Sequence, residues 1–372
     1  MPASVADIIN VMGVIAPVSL AEDWDNVGLQ VGQMEWPVKT VWIALDPSPD
    51  IVAAACQKKV NLLITHHPLI FRALKSVHFD SPAGSAIFMA AKHRVAIFAA
   101  HTNYDNAVEG LNDTLARRIG LSNLKVLDTS GNSQIYKLVV YVPAEFVHEF
   151  IKILNETQVG NYGQHSDGAF ISVGKDATNL EPFTATVRKS AGEFLQADTI
   201  RFETLVHHGD LNGIIEHLKR CQPYKTMAYD IYPLVRSNRK WGLGRVGELA
   251  KSADLRSFAM HIKKKLGLAT VKIAGDLSLP INKAAVCTGS GSSLMKYFFD
   301  SEAQVFVSGD LRYHDAKDAV SANRGLIDIG HFASEHLIVD ILAERLSRLL
   351  TDKGLNVKVE ACKLERDPFV II

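Results

Sequence analysis

A histidine and a carboxylate lie four residues apart near the end of the chain, in Gly330-His331-Phe332-Ala333-Ser334-Glu335. On a helix, positions i and i+4 share a face, so His331 and Glu335 can point at the same place. Two earlier segments carry similar side chains, Thr65-His66-His67-Pro68 and His101-Thr102-Asn103-Tyr104-Asp105. A set of His, Asp and Glu without Cys is typical of a divalent metal centre.

Each of these segments follows a predicted strand. Residues 61–65 run into His66 and His67, residues 95–99 run into His101, and residues 326–328 precede His331. In open α/β sheets the ligand crevice lies at the carboxyl ends of the strands, so we expect all three segments to meet at one sheet edge. The alternative, a chance grouping of ordinary histidines, is disfavoured because every member lies at a strand end or on one helical face.

The adjacent histidines indicate two metal ions rather than one. In an extended backbone His66 and His67 point in different directions, so one histidine for each of two ions is the easier arrangement. Glu335 and Asp105 are then the candidates for a bridging carboxylate. Two ions about 3.5–4 Å apart lower the pKa of a bound water and supply hydroxide at neutral pH. The ligand set suits zinc or iron, with manganese, cobalt and nickel as alternatives.

Two further histidines can act beside the metals. We predict that His101 is a catalytic acid or base, and His314 has the same capacity. Orientation of a metal ligand is the alternative for both. Asp310 and Asp315 are predicted to be helix caps rather than ligands.

Two loops complete the set of candidate segments. The turn Gly289-Ser290-Gly291 either binds an anion through its backbone amides or packs a helix tightly on a sheet. Residues 24–32 are predicted to be a loop whose Asp25 and Asn26 either contact substrate, brace the ligands or form a plain turn.

Composition bounds the class of protein. The chain has 372 residues, 47% of them hydrophobic, which is enough for a full-sized core. Forty basic and forty acidic residues give zero net charge, which argues against a nucleic-acid binder driven by bulk electrostatics but leaves a local patch possible. The four scattered cysteines, the absence of a signal peptide and the lack of a long apolar run predict a cytoplasmic protein without a membrane span.

The order of predicted elements indicates an α/β fold. Residues 1–129 and 241–372 alternate strands and helices, which predicts a discontinuous, mostly parallel-sheet domain covered on both faces. Residues 130–240 show the order βαβ-βαβ, which predicts an inserted ferredoxin-like α+β domain.

Five motifs, in order, resemble those of the NGG-one-interacting factor three family, whose members are often labelled GTP cyclohydrolase 1 type 2 homologues. They lie at residues 24–32, 65–71, 101–105, 308–316 and 328–335. The resemblance implies a dinuclear site held by His66, His67, Asp105, His331 and Glu335. It also implies a ring-shaped homohexamer and an insert similar to the PII and CutA proteins.

Two functions follow from these features. The first is a metal-dependent hydrolase that acts on a nucleotide or related heterocycle, as the family label suggests for GTP. The second is a non-catalytic, metal-binding regulatory ring whose insert senses a small ligand. The motifs themselves indicate only the metal site.

Overall fold

The computed structural model describes residues 3–128, 135–155, 169–178, 195–224, 226–234 and 241–370. The first segment contains α1 (Val5–Ile15), β1 (Gly28–Val31), β2 (Thr40–Ala44), α2 (Pro49–Gln57), β3 (Leu62–Thr65), α3 (Pro82–His93), β4 (Ala96–Ala99), α4 (Thr102–Asn106), α5 (Leu111–Arg118) and β5 (Leu121–Val126). The middle segments contain β6 (Ile135–Pro143), α6 (Val147–Asn155), β7 (Phe170–Thr178), β8 (Leu195–His207), α7 (His208–Cys221) and β9 (Ala228–Pro233). The last segment contains β10 (Arg245–Asp254), α8 (Leu255–Leu266), β11 (Lys272–Ala274), β12 (Pro280–Ser290), α9 (Met295–Asp300), β13 (Val305–Gly309), α10 (Tyr313–Ser321), β14 (Gly325–Asp328), α11 (His331–Glu335), α12 (Leu337–Asp352) and β15 (Lys358–Ala361).

The chain divides into two compact units. One comprises Met1–Gly131 with Asn238–Ile372, and the other comprises Asn132–Ser237. The described strands of the first unit form two mixed sheets, which we call the first sheet (β1-β4-β3-β2-β15) and the second sheet (β11-β14-β13-β12-β10-β5).

Helices cover both faces of the first sheet. Strands β3 and β4 are buried at every position and apolar at all but Thr65, as expected for parallel strands with two covered faces. Ile8 of α1 and Leu342 of α12 pack on one face, and Val52 of α2 and Ala86 of α3 pack on the other. Ser48 caps the N-terminus of α2 and Pro49 occupies its first turn, which explains the Pro-Ser-Pro sequence there.

The second sheet repeats this arrangement. Strands β12, β13 and β14 run parallel, with Leu115 of α5 and Phe258 of α8 packed on one face. Phe298 of α9 and Ala319 of α10 pack on the other face. Two sheets of similar build explain why the strand-helix rhythm occurs at both ends of the chain.

Two expectations from the sequence were wrong, and a third was met in part. The polar segments do not meet at one edge of one sheet, because β14 belongs to the second sheet and β3 and β4 to the first. The expectation of a mostly parallel sheet is met in part: pairing is parallel from β15 to β4 and from β12 to β14, while β1, β11, β10 and β5 pair antiparallel with their neighbours. Residues 24–32 are not all loop, because β1 pairs with β4. The strand is only four residues long and begins with Gly28, so the alternation of Leu29, Gln30 and Val31 is too short to predict it.

The described part of the middle unit is one antiparallel sheet with the order β7-β8-β6-β9. Helices α6 and α7 pack on it through Phe150 and Leu218, which are buried with Phe202 of β8. The polar composition of residues 175–182 predicts a loop, but β7 extends to Thr178, and residues 179–182 lie outside the described residues.

Among the helices of the described residues, none has the length and apolar character required to cross a bilayer.

Candidate metal centre

Three polar segments converge between the two sheets of the first unit. His66 and His67 directly follow β3, and His101 and Asp105 follow β4. His331 and Glu335 lie on α11, which follows β14 of the second sheet. The structure therefore brings together His66, His67, His101, Asp105, His331 and Glu335, all of which were selected from the sequence.

The carboxylate of Glu335 lies at the middle of the cluster. Its Oε1 atom is 3.6 Å from Nε2 of His66, and its Oε2 atom is 3.0 Å from Nε2 of both His67 and His331. Oδ2 of Asp105 lies 3.7 Å from Nε2 of His66. The two oxygens of Glu335 thus face different histidines, which is the geometry that a bridging carboxylate requires.

Two overlapping groups of ligand atoms have the spacing of a metal site. One contains His66, His67 and His101, and the other contains His67, His331 and Glu335; within each group the ligand atoms lie within 4.8 Å of one another. His101, predicted as an acid or base, therefore also has the position of a ligand.

The cluster is closed at its base and open at one side. His66 is completely buried, and Asp105 and Glu335 are buried too. The side chain of His67 is 25% exposed and that of His331 is 37% exposed. Small molecules can therefore approach the site from the side of His67 and His331.

All four histidines direct Nδ1 away from the cluster to an oxygen atom, which leaves Nε2 for the centre. A metal-binding histidine commonly has its second nitrogen held in this way, which fixes its tautomer and orientation. The oxygens belong to Ala100 (2.9 Å from His66), Asp46 (2.7 Å from His67), Asp25 (2.9 Å from His101) and Asp310 (2.7 Å from His331).

The supporting carboxylates are themselves held in place. Asp25 accepts hydrogen bonds from the backbone and hydroxyl of Thr102. The backbone N–H groups of Leu45 and Asp46 donate to the buried carboxylate of Glu365, which fixes the start of the loop beside His67. These contacts position the histidines without touching the centre.

Asp310 is not the helix cap that the sequence suggested. It has φ = 52°, in the left-handed region that is strained for most residues, and its carboxylate binds His331. Asp315 is not the N-cap of α10 either, but from the third helical position it accepts a hydrogen bond from the backbone of the N-cap residue Arg312. His314 is exposed on α10 and packs edge-on against Tyr313.

The glycine turn at the end of β12 packs directly against the cluster. Gly289 has φ = 63°, and a Cβ atom there would lie 2.2 Å from Oε1 of Glu335. Its N–H donates to the hydroxyl of Ser334, and Thr288 donates to Asp105. These contacts support close packing, rather than anion binding, as the interpretation of this turn.

The charges of the cluster shift its pKa values strongly. Burial opposes ionisation of Glu335, but His66, His331 and His67 hold its pKa well below the usual range. Burial lowers the pKa of His67, yet hydrogen bonds to Asp46 and Glu335 outweigh it and raise the value to about 10. The hydrogen bond to Glu335 raises the pKa of His331 to about 9, despite burial. Protonated histidines thus surround an ionised carboxylate at neutral pH.

A divalent cation fits these residues. Nε2 of His66 is completely buried and has no hydrogen-bond partner among the described residues, since both neighbouring carboxylates are more than 3.5 Å away. A buried polar atom without a partner is costly. A cation between the imidazole and the carboxylates would satisfy it and balance the negative charges, and imidazole with carboxylate suits several transition metals.

Fold and site together define a class: a mixed α/β protein with several sheets and a His/Glu cluster that could bind metal. Residues 3–368 match the profile of the family described as Duf34/NIF3 (NGG1p interacting factor 3). The chain belongs to this family, which confirms the resemblance seen in the motifs.

Individual relatives cover nearly the whole chain. A Bacillus subtilis protein named "GTP cyclohydrolase 1 type 2 homolog" is 34% identical over 369 residues, 98% of each chain. A crystal structure of a Bacillus cereus protein related to NIF3 superimposes with a TM-score of 0.72 at 33% identity, covering 99% of both chains. A Staphylococcus aureus protein of known structure gives a TM-score of 0.72 at 30% identity, covering 100% of this chain and 99% of the other.

Proposed function

We propose that the cluster is a dinuclear divalent metal centre whose ligands are His66, His67, Asp105, His331 and Glu335. The observation that carries this proposal is the position of Glu335, with one oxygen towards His66 and the other towards His67 and His331. Zinc or iron suits the ligands best, with manganese, cobalt and nickel as alternatives.

We further propose that the protein is a metal-dependent hydrolase that acts on a nucleotide or related heterocycle. The names of its relatives, "GTP cyclohydrolase 1 type 2 homolog", support this substrate class. Divalent ions at such a centre supply Lewis acidity and lower the pKa of a water molecule.

In this proposal the chain's own residues orient the centre and handle protons. Asp46 and Asp310 accept hydrogen bonds from Nδ1 of His67 and His331, so both imidazoles would offer a lone pair at Nε2 once a metal ion displaces the proton there. Asp25 does the same for His101, whose Nε2 can hold or release a proton beside the ligands. His101 serves either as this acid or base or as a further nitrogen ligand.

Turnover of GTP by metal-loaded protein tests the proposal. Wild type is compared with His67→Ala and Glu335→Ala, each checked for folding by circular dichroism. We expect hydrolysis by wild type and its loss in both variants. Equal rates in all three proteins would remove the metal centre from the mechanism.

A second candidate function is a non-catalytic regulatory assembly with a ligand-sensing insert. We propose that residues 130–240 form an inserted ferredoxin-like domain, similar to PII and CutA, between the two parts of a metal-binding domain at 1–129 and 241–372. The element order β6-α6-β7-β8-α7-β9 and the sheet order β7-β8-β6-β9 support the ferredoxin-like topology. This function predicts effector and metal binding without turnover, so consumption of any substrate over many cycles per site would refute it.

We also propose that the protein works in the cytoplasm as a homohexamer. The four cysteines are all unpaired, which suits a reducing compartment. The family resemblance supports the hexamer, and sedimentation analysis of the full chain tests it.

A further inference from the structure

Two large aromatic side chains are exposed beside the candidate metal centre. Trp24 is 59% exposed and Phe71 is 48% exposed. Their ring centroids are 5.9 Å apart, and they lie 6.1 and 6.4 Å from the ring of His101. Exposed aromatic rings give up the stabilisation that burial provides, so a pair of them at a chemical centre indicates a binding role.

A hydrogen-bond network holds this aromatic pair in place. Trp24 lies on the loop before β1, and Phe71 lies on the loop that follows His67. Nδ2 of Asn26 donates a hydrogen bond to the carbonyl of Ile70. The backbone N–H of Ile70 donates to Oε1 of Gln30. Nε2 of Gln30 donates back to the carbonyl of Asn26. The two loops are therefore fastened together before any ligand arrives, which reduces the entropy that binding would cost.

The same loop connects the pair to the metal centre. Asp25, next to Trp24 in the chain, accepts the hydrogen bond from Nδ1 of His101. Both aromatic rings stand nearly perpendicular to the imidazole of His101, at 77° and 76°. A planar ring that stacked on Trp24 or Phe71 would therefore lie next to His101 and at the mouth of the cluster.

We propose that Trp24 and Phe71 form a stacking platform that binds the planar aromatic heterocycle of the substrate and presents it to the metal centre. The platform rests on the proposed function, because it assumes a nucleotide or related heterocycle as ligand. Aromatic faces bind such rings through offset or edge-to-face contacts and tolerate different bases. The aromatic pair selects a planar ring, and the residues of the neighbouring cluster take part in the reaction.

Calorimetric binding to the zinc-loaded, full-length protein tests this proposal without requiring turnover. The ligands are GTP, guanosine, and ribose 5-phosphate as a probe that lacks the base. The variants are Trp24→Leu and Phe71→Leu, with Trp24→Phe to restore a ring. Phe79→Leu is the matched control, because Phe79 is also 59% exposed but pairs with Phe88 at 4.7 Å. Zinc content is measured for every protein.

We expect both leucine variants to weaken binding of GTP and guanosine by roughly tenfold or more, the effect of losing one stacking contact. Trp24→Phe should recover part of the affinity, and Phe79→Leu should match wild type with unchanged zinc content. Ribose 5-phosphate should show no difference between proteins.

Three results would overturn the platform. The first is equal affinity of the leucine variants and wild type for GTP and guanosine. The second is the absence of any binding of either ligand to wild type. The third is dissociation of an assembly in Trp24→Leu on sedimentation, which would make the pair a contact between copies of the chain. Absence of GTP hydrolysis by metal-loaded wild type, with binding of GTP and guanosine intact, would instead refute the proposed reaction and leave the platform standing.

Discussion

Gly289 and Glu335 are in such close contact that a Cβ atom at position 289 would lie 2.2 Å from Oε1 of Glu335. The carboxylate at the middle of the cluster is therefore held against bare backbone. No side chain larger than hydrogen fits there unless Glu335 moves, and its movement would change the distances to His66 and His67.

Gly289→Ala is expected to lower metal affinity about 10- to 100-fold, the range seen when a contact that orients a ligand is lost. Gly354→Ala is the control, since Gly354 has φ = 69° but no atom within 4 Å of an added Cβ. Both substitutions carry a similar backbone strain, so they should lower Tm alike. Competitive metal titration then separates them, and equal metal affinities would contradict the role of Gly289.

Asp46→Asn should weaken metal binding about 10- to 100-fold, because a neutral amide oxygen replaces the charged carboxylate that accepts the hydrogen bond from Nδ1 of His67. The amide keeps the size of the side chain but removes its charge. Asp340→Asn, at an exposed ion pair with Lys363, serves as the control. Metal affinity is measured by competition with a chelator, and an unchanged value for Asp46→Asn would mean that Asp46 does not orient His67.

Metal binding at pH 7.5 should release about two protons, because in the metal-free protein His67 has a pKa of about 10 and His331 of about 9. Metal affinity should accordingly rise with pH up to about these values. The raised pKa values of both histidines also stabilise the metal-free fold. This stabilisation is fully present below the ordinary histidine pKa of 6.5 and is lost as the pH rises through 9 to 10. Calorimetry in buffers of different ionisation enthalpy counts the protons, and a count of zero would contradict the charge state.

His101→Gln separates the two roles open to His101. If His101 is an acid or base, the substitution should abolish turnover and leave both metal ions bound. If His101 is a ligand, the substitution should reduce the metal content as well. Its ring is 14% exposed and paired with Asp25, so we expect a folded variant. Metal content and GTP turnover, measured on the same preparation, decide between the two roles. If the variant kept the wild-type values of both, His101 would have neither role.

The sequence was informative about the ligands because their signals are local. The four-residue spacing of His331 and Glu335 and the strand-end positions of His66 and His101 depend on a single element each. Strands such as β4, apolar at every position, are equally recognisable.

The supporting residues depend on contacts that a single sequence does not reveal. Asp46 lies 21 residues from His67, and Asp310 lies 21 residues from His331, so their pairing requires the folded chain. Asp25 was suggested as a brace only because its loop is unusual. The division of the strands between two sheets was missed for the same reason, since strand-helix alternation does not say which strands pair.

Metal content of Glu335→Gln tests the central claim most directly. A carboxylate that bridges two ions contributes to both sites, so its amide variant should lose metal at both, whereas wild type should hold two ions per chain. Elemental analysis of both proteins, each shown to be folded, measures the stoichiometry. A loss close to two ions per chain agrees with a bridging Glu335. Loss of one ion only, or of none, would contradict it.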